Sequence, residues 1–204
     1  MIYEVRTYML KSGTVAEAEK RLAEALPYRE KYSKLGALWH TDLGPLNQIV
    51  HVWPYESLQH RYEARAQAMQ DPHWPPKLAE MIESMESEIF LPTSFMEPLG
   101  NRQLGNIYEM RTYVYQAGSM PEVLKRWEKA IPQRVQLSPL AACWYSDIGE
   151  LNKFVHIWAY KDFAERDRVR TESLQLPTWP PNTREFIVSQ TNKMLIPAAC
   201  SPMH

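Results

Sequence analysis

An α+β fold built twice over is the class this sequence predicts, and three observations carry it. Ile2-Tyr-Glu-Val-Arg-Thr-Tyr8 returns as Ile107-Tyr-Glu-Met-Arg-Thr-Tyr113, an offset of 107 − 2 = 105 residues that then never changes. About 36 of about 94 positions are identical along that gapless overlay, far more than unrelated segments share. Within each copy, period-two and helical apolar patterns follow one another in the order β-α-β-β-α-β.

Each element of the first copy has a local reason. Residues 2–10 are rich in Tyr, Val, Ile and Thr, which suit a pleated surface, and Lys11-Ser-Gly13 ends that first strand. Thr14 stands as an N-cap with Glu17 three residues on. Val15, Ala18, Leu22, Ala25 and Leu26 then recur at helical spacing, predicting a helix to about Leu35 that Gly36 stops. Two strand-like runs, Ala37 to Asp42 and Gln48 to Tyr55, flank the turn Leu43-Gly-Pro-Leu-Asn47 and form a hairpin. Ser57 caps a second helix to about Gln70, which Asp71-Pro-His-Trp-Pro-Pro76 must break because proline lacks the amide donor. A short third helix, about Lys77 to Met85, and a last strand, Ser87 to Phe95, complete the copy.

That order is the ferredoxin-like split βαβ arrangement, an antiparallel sheet with helices on one side. A period of 105 residues lies outside the ~20–50 of solenoids and propellers, so each copy is a domain. Residues 1–97 form module 1, the Pro-, Gly- and Asn-bearing stretch 98–106 is the linker, and 107–204 form module 2. Each module leaves one sheet face open. The twin closes it, giving an intrachain pseudo-dimeric α+β barrel of eight strands with a space between the sheets.

Composition narrows the function classes. In 204 residues, 45% hydrophobic and 23% charged, there is enough apolar material for a core. A net charge of −1 with dispersed Lys and Arg excludes a phosphate-tracking face for nucleic acid. No apolar run approaches the ~18–20 residues of a membrane span, and residues 1–10 read as strand rather than as a signal or transit segment, so the expected address is cytoplasmic. Residual sheet edges lead us to expect a homodimer or higher homo-oligomer. Cys143 and Cys200 have Leu38 and Phe95 as counterparts and belong to no repeated framework, so they read as apolar fillers.

Alternation sorts the strand residues by face. Tyr3, Val5, Thr7, Met9, Val50 and Val52 are small or apolar and are expected to meet the helices. Glu4, Arg6, Tyr8, His51, Trp53 and Tyr55 then share the inward face with Glu109, Arg111, Tyr113, His156, Trp158 and Tyr160 of the twin. Such a chamber has aromatic walls, histidines for acid–base work and arginines that could clamp a carboxylate or enolate. His51, His156, Arg6 and Arg111 are the catalytic candidates. Glu4, Tyr8, Trp53, Tyr55, Glu109, Tyr113, Trp158 and Tyr160 are the ligand-binding ones. Plainer readings stand beside these: mutual neutralisation of Glu4 and Arg6, hydrogen-bonded half-buried histidines, and tryptophans that only pack. Arg61, Arg65, Arg166 and Arg170, at i, i+4 spacing, could face solvent or hydrogen-bond nearby carboxylates, with a solvated helix face as the default. The Trp-Pro-Pro corners read as anchors of the helix break, with a partner surface or a pocket lid as alternatives.

No dinucleotide, phosphate-loop, nucleophile-elbow, zincin or CxxC motif is present, so neither cofactor nor metal is expected. The Tyr-Glu-x-Arg-Thr-Tyr opening, the Gly-x-Leu-Trp…Asp-x-Gly-x-Leu-Asn hairpin, the His-x-Trp-x-Tyr strand and the Asp-Pro-x-Trp-Pro-Pro corner together resemble the NIPSNAP family, once per copy. Module 2 departs at Leu176-Pro-Thr-Trp-Pro-Pro181, without the Asp, and at Ala142-Cys143-Trp144, without the Gly. The resemblance implies a ferredoxin-like dimeric α+β barrel, and no agreed enzymatic activity. Animal members are linked to mitochondria, vesicle trafficking or mitophagy. Relatives by fold include cofactor-free monooxygenases, muconolactone-type isomerases and haem enzymes, and fold alone does not carry function. Two readings follow. One is a cofactor-free monooxygenase or isomerase acting in the barrel interior on a small aromatic or polyketide-like ligand, with His51 or His156 abstracting a proton. The other is a non-enzymatic ligand-binding or protein-interaction scaffold. Haem held through His51 or His156 is a further alternative.

Overall fold

The structure, a computed structural model, describes all residues 1–204. Module 1 comprises β1 (Ile2–Leu10), α1 (Val15–Arg29), β2 (Ala37–Leu43), β3 (Gln48–Tyr55), α2 (Leu58–Ala68) and β4 (Ile82–Pro92). Module 2 repeats it as β5 (Ile107–Tyr115), α3 (Met120–Arg134), β6 (Leu140–Ile148), β7 (Lys153–Tyr160), α4 (Phe163–Ser173) and β8 (Ile187–Pro197). Both hairpin turns place an asparagine in the left-handed region, Asn47 at φ 59° and Asn152 at φ 58°, a conformation asparagine tolerates better than most residues.

The expected third helix is absent. Residues 71–81 instead form turns in which Leu78 and Met81 bury against the helix-side core, and β4 starts at Ile82. Arg21 of α1 donates to the Lys77 carbonyl and tethers this stretch, so its backbone is held from outside rather than by helical bonds. Module 2 keeps one 3-10 turn there, Arg184–Phe186. Helix α1 also ends at Arg29, within a turn of Pro27, rather than near Leu35. Thr14 gives α1 no side-chain cap, because its hydroxyl donates to the Lys11 carbonyl.

Eight strands close into one barrel in the order β1-β3-β2-β8-β5-β7-β6-β4, every neighbour antiparallel. The modules join through β2 with β8 and β4 with β6. Their tails cross over as well: Thr93 N–H donates to the Cys143 carbonyl, and Ala198 N–H to that of Leu38. Closure leaves no free strand edge, so the edge argument for a homo-oligomer no longer applies.

The two sheet faces are the reverse of those expected. Tyr3, Val5, Val50, Val52, Met110 and Ile157 fill the barrel with Trp39 and Trp144, and the Tyr3 and Trp144 rings stack at 5.4 Å across the module boundary. An eight-stranded barrel has just enough room for side chains, and branched and aromatic groups fill it, although the indole N–H groups of Trp39 and Trp144 and the Tyr108 hydroxyl are buried there without a partner. The linker residues Leu99 and Leu104, with Met96 and Met203, pack against that core. The barrel also holds a polar recess of about 300 Å³, where Lys153 bonds Glu88 at 2.7 Å.

Candidate ligand-binding pockets

The residues singled out from the strands therefore face outward, under the helices. They gather in two separate groups, one per module, instead of one shared chamber in the barrel interior, and all but Glu4 and Tyr55 line a pocket there. Register sets each group: β1 lies between β3 and β4, pairing Glu4 with Trp53 and Arg6 with His51, and β5 pairs Glu109 with Trp158 and Arg111 with His156. Helix α2 reaches over the first group and α4 over the second. This is why a glutamate is tolerated in a central strand: arginines reach it from the helix side.

Glu4 is fully buried and accepts from Arg61 Nη2 at 2.7 Å, Ser87 Oγ at 2.7 Å and Arg6 Nη1 at 2.8 Å, with Arg65 Nη1 3.7 Å away. Burial alone would raise its carboxyl pKa, but the Arg61 hydrogen bond, the Arg65 charge, Ser87 and Arg6 outweigh it and hold Glu4 at about 2. Glu109 is held below its ordinary range in the same way, against the same burial, by Arg166, Arg111 and Arg170. Arg61 and Arg166 thus take the second of the two expected roles, partnering buried carboxylates instead of forming the default solvated face. The Glu4–Arg6 neutralisation is real and forms part of a larger network.

His51 lies beside Tyr8, with ring centroids 4.7 Å apart, and its Nδ1 accepts the Trp53 indole N–H at 2.7 Å. Trp158 does the same for His156 at 2.8 Å. Indole donates and cannot accept, so each imidazole proton sits on Nε2, and that nitrogen has no protein partner in either module. Burial, with the Arg6 charge adding to it, pushes His51 down to about 3; burial and Arg111 lower His156 likewise. Both rings are neutral N–H donors at neutral pH. They are not poised as bases, and a haem iron would need the lone pair that the Nε2 proton occupies, so these residues do not fit haem.

Two arginines that sequence reasoning passed over complete the pockets. Arg29, 2% exposed, donates to the Tyr55 hydroxyl at 2.8 Å and lies 4.5 Å over the Trp53 ring. Arg134, also 2% exposed, bonds the Tyr160 hydroxyl at 3.2 Å and lies 4.0 Å over Trp158. Phenols and indole faces partner both, joined at Arg134 by the Ser138 hydroxyl at 2.9 Å, with no carboxylate, and Arg29 Nη1 and Arg134 Nε have no partner. The repeat offered a signal: an arginine recurs at offset 105 on the apolar stripe Ala18-Leu22-Ala25-Arg29, where a solvated residue would not. Trp74 closes one side of the first pocket, edge-on to Trp53 at 6.1 Å, and Trp179 does so in the second at 5.6 Å from Trp158. The Trp-Pro-Pro corners are pocket walls. The cavities measure about 490 Å³ in module 1 and about 500 Å³ in module 2, within the range of small-molecule sites.

The NIPSNAP family model matches residues 3–97 and again 108–202. The chain belongs to the NIPSNAP family. It is 27% identical over 203 residues to a NipSnap homolog of Dictyostelium discoideum, spanning 96% of this chain and 87% of that one. Human NipSnap homolog 3B is 29% identical over 214 residues, spanning 98% and 85%. A crystal structure from Lactobacillus acidophilus, provisionally named a monooxygenase, superposes with a TM-score of 0.68 over 96% of this chain and 92% of its own at 12% identity. At that identity the likeness shows the shared α+β barrel alone. No helix of this NIPSNAP protein is long and apolar enough to cross a membrane.

Proposed function

We propose that each module binds one small organic anion in the pocket between its sheet and its helices. The observation that carries this is the pair Arg29 and Arg134, buried cations without a carboxylate, each on the wall of a cavity of ligand size. Burial lowers the pKa of both guanidiniums; a bound anion would offset that cost and occupy donors the protein leaves free. Arg6 and Arg111 add charge. His51 and His156 supply Nε2–H donors, Tyr8 and Tyr113 frame the opening, and Trp53, Tyr55, Trp158 and Tyr160 orient the buried arginines. Glu4 and Glu109 hold the surrounding cations in place.

A second reading, isomerisation of the bound anion or its oxidation by dioxygen without a cofactor, draws support from His51 lying directly opposite Arg6 across β1 and β3. An N–H donor and a cation at one site stabilise an enolate. With both rings neutral and Glu4 held ionised, the substrate on this reading enters already deprotonated.

Calorimetric titration with 1-naphthoate tests the binding reading. Saturable binding at one or both sites is expected, weakened ~10-fold or more in the Arg29→Met/Arg134→Met double variant, the factor that about 1.4 kcal/mol represents. Equal affinity in wild type and variant, or no saturation at millimolar ligand, would refute it.

A further inference from the structure

The two pockets descend from one, so every difference between them is a departure from a common plan. Backbone register, the buried arginine, the histidine–indole pair and the Trp-Pro-Pro wall are shared. The outer wall is not. In module 1 the positions Leu22, Leu78, Ala79 and Met85 are apolar. Their counterparts at offset 105 are Trp127, Thr183, Arg184 and Gln190. All four exchanges add a hydrogen-bonding group, and one of these adds a guanidinium, so Arg184 joins Arg111, Arg134 and Arg170 around the second pocket.

The buried carboxylates have diverged as well. Both oxygens of Glu4 are engaged, Oε2 by the Tyr55 hydroxyl at 3.4 Å. Glu109 collects its four donors on Oε1, leaving Oε2 buried and without a partner at the wall of the second cavity. An unpartnered carboxylate oxygen beside a cavity calls for a hydroxyl or N–H from whatever fills it. The third indole of module 2, Trp127, lies 4.5 Å from His156 and 5.4 Å from Trp179, extending the aromatic wall with a face against which C–H groups pack.

Building on the anion-binding reading, we infer that the two modules have separated in ligand class. Module 1 takes a monoanion on an apolar body, of the acyl or aryl carboxylate kind. Module 2 takes a hydroxylated anion of higher charge, of the sugar-phosphate kind: the phosphate lies among the four arginines, a hydroxyl donates to Glu109 Oε2, and the ring rests against indole. A long acyl chain in module 2 would leave Arg184, Gln190 and Glu109 Oε2 facing hydrocarbon, while the Thr183 hydroxyl is already paired with that of Tyr115 at 3.1 Å; a phosphosugar in module 1 would meet Leu78 and Met85 with its hydroxyls.

The seven indole N–H resonances report each pocket separately. With peaks assigned by single Trp→Phe variants, the full chain is titrated with decanoate and with glucose 6-phosphate. Decanoate is expected to shift the Trp53 and Trp74 peaks at ~10-fold lower concentration than those of Trp158 and Trp179, and glucose 6-phosphate the reverse. Arg184→Ala should weaken glucose 6-phosphate ~10-fold at module 2 and leave decanoate at module 1 unchanged; Ala79→Arg should raise phosphate affinity at module 1. If both ligands move both sets of peaks equally, or Arg184→Ala changes nothing, the divergence is wrong while anion binding stands. If neither ligand moves any indole peak up to ~10 mM, the anion-binding reading fails and the divergence with it.

Discussion

The Trp53 indole N–H and His51 Nδ1, 2.7 Å apart, decide which imidazole nitrogen carries the proton. Removing the donor leaves a buried acceptor unpaired, so Trp53→Phe should cost about 1–3 kcal/mol in chemical denaturation. In a nitrogen-detected spectrum, wild-type His51 should show the Nε2–H tautomer alone, and the variant a mixture. A tautomer mixture in the wild type would contradict the assignment.

Stability should fall as pH drops below about 6.5, and the sign follows from the two histidines. The unfolded chain binds protons as pH falls through the ordinary 6.5, whereas folded His51 does so only near 3 and folded His156 is also depressed. Unfolding therefore takes up about two protons near pH 5, a slope of roughly 2.7 kcal/mol per pH unit from these residues. Glu4 adds to the loss between 4.5 and about 2. Denaturation midpoints measured across pH 4–7 check this; His51→Gln should remove about half of the histidine slope.

Two arginines on the same kind of helix should behave oppositely. Arg61 donates to the fully buried Glu4, which keeps Arg6, Ser87 and Arg65 without it, so Arg61→Ala should destabilise by about 1.5–3 kcal/mol, the cost of losing one hydrogen bond to a buried charge. Arg168 pairs with Glu172 on the exposed face of α4, and Arg168→Ala should change stability by less than about 0.5 kcal/mol. Similar losses for both would show that Glu4 is stabilised by something other than α2.

The reversal of sheet faces has its own test. Trp144 is fully buried inside the barrel against Tyr3 and Phe90, and Trp144→Ala should cost about 3–5 kcal/mol. Val52→Lys, which would place an ammonium in the same dry interior, should prevent folding, as followed by circular dichroism. A folded Val52→Lys protein would mean that the polar recess of Lys153 and Glu88 extends to this position.

By itself the sequence determined the duplication, the strand and helix order, the hairpin turns at Asn47 and Asn152, and which side chains share a sheet face. Those depend on local chemistry and on a period-two alternation that is intrinsic to a strand. Only the tertiary structure decided which face is inside, because alternation is symmetric about the sheet plane. The deciding contacts come from far along the chain: Arg61, 57 residues from Glu4, supplies charge on the helix side, and Trp144, from the other module, supplies the dry filling within. Arg29 and Arg134 were hidden for the same reason. A cation on an apolar helix stripe reads as an exception until its partners, Tyr55 and Trp53 or Tyr160 and Trp158, are brought beneath it by the fold.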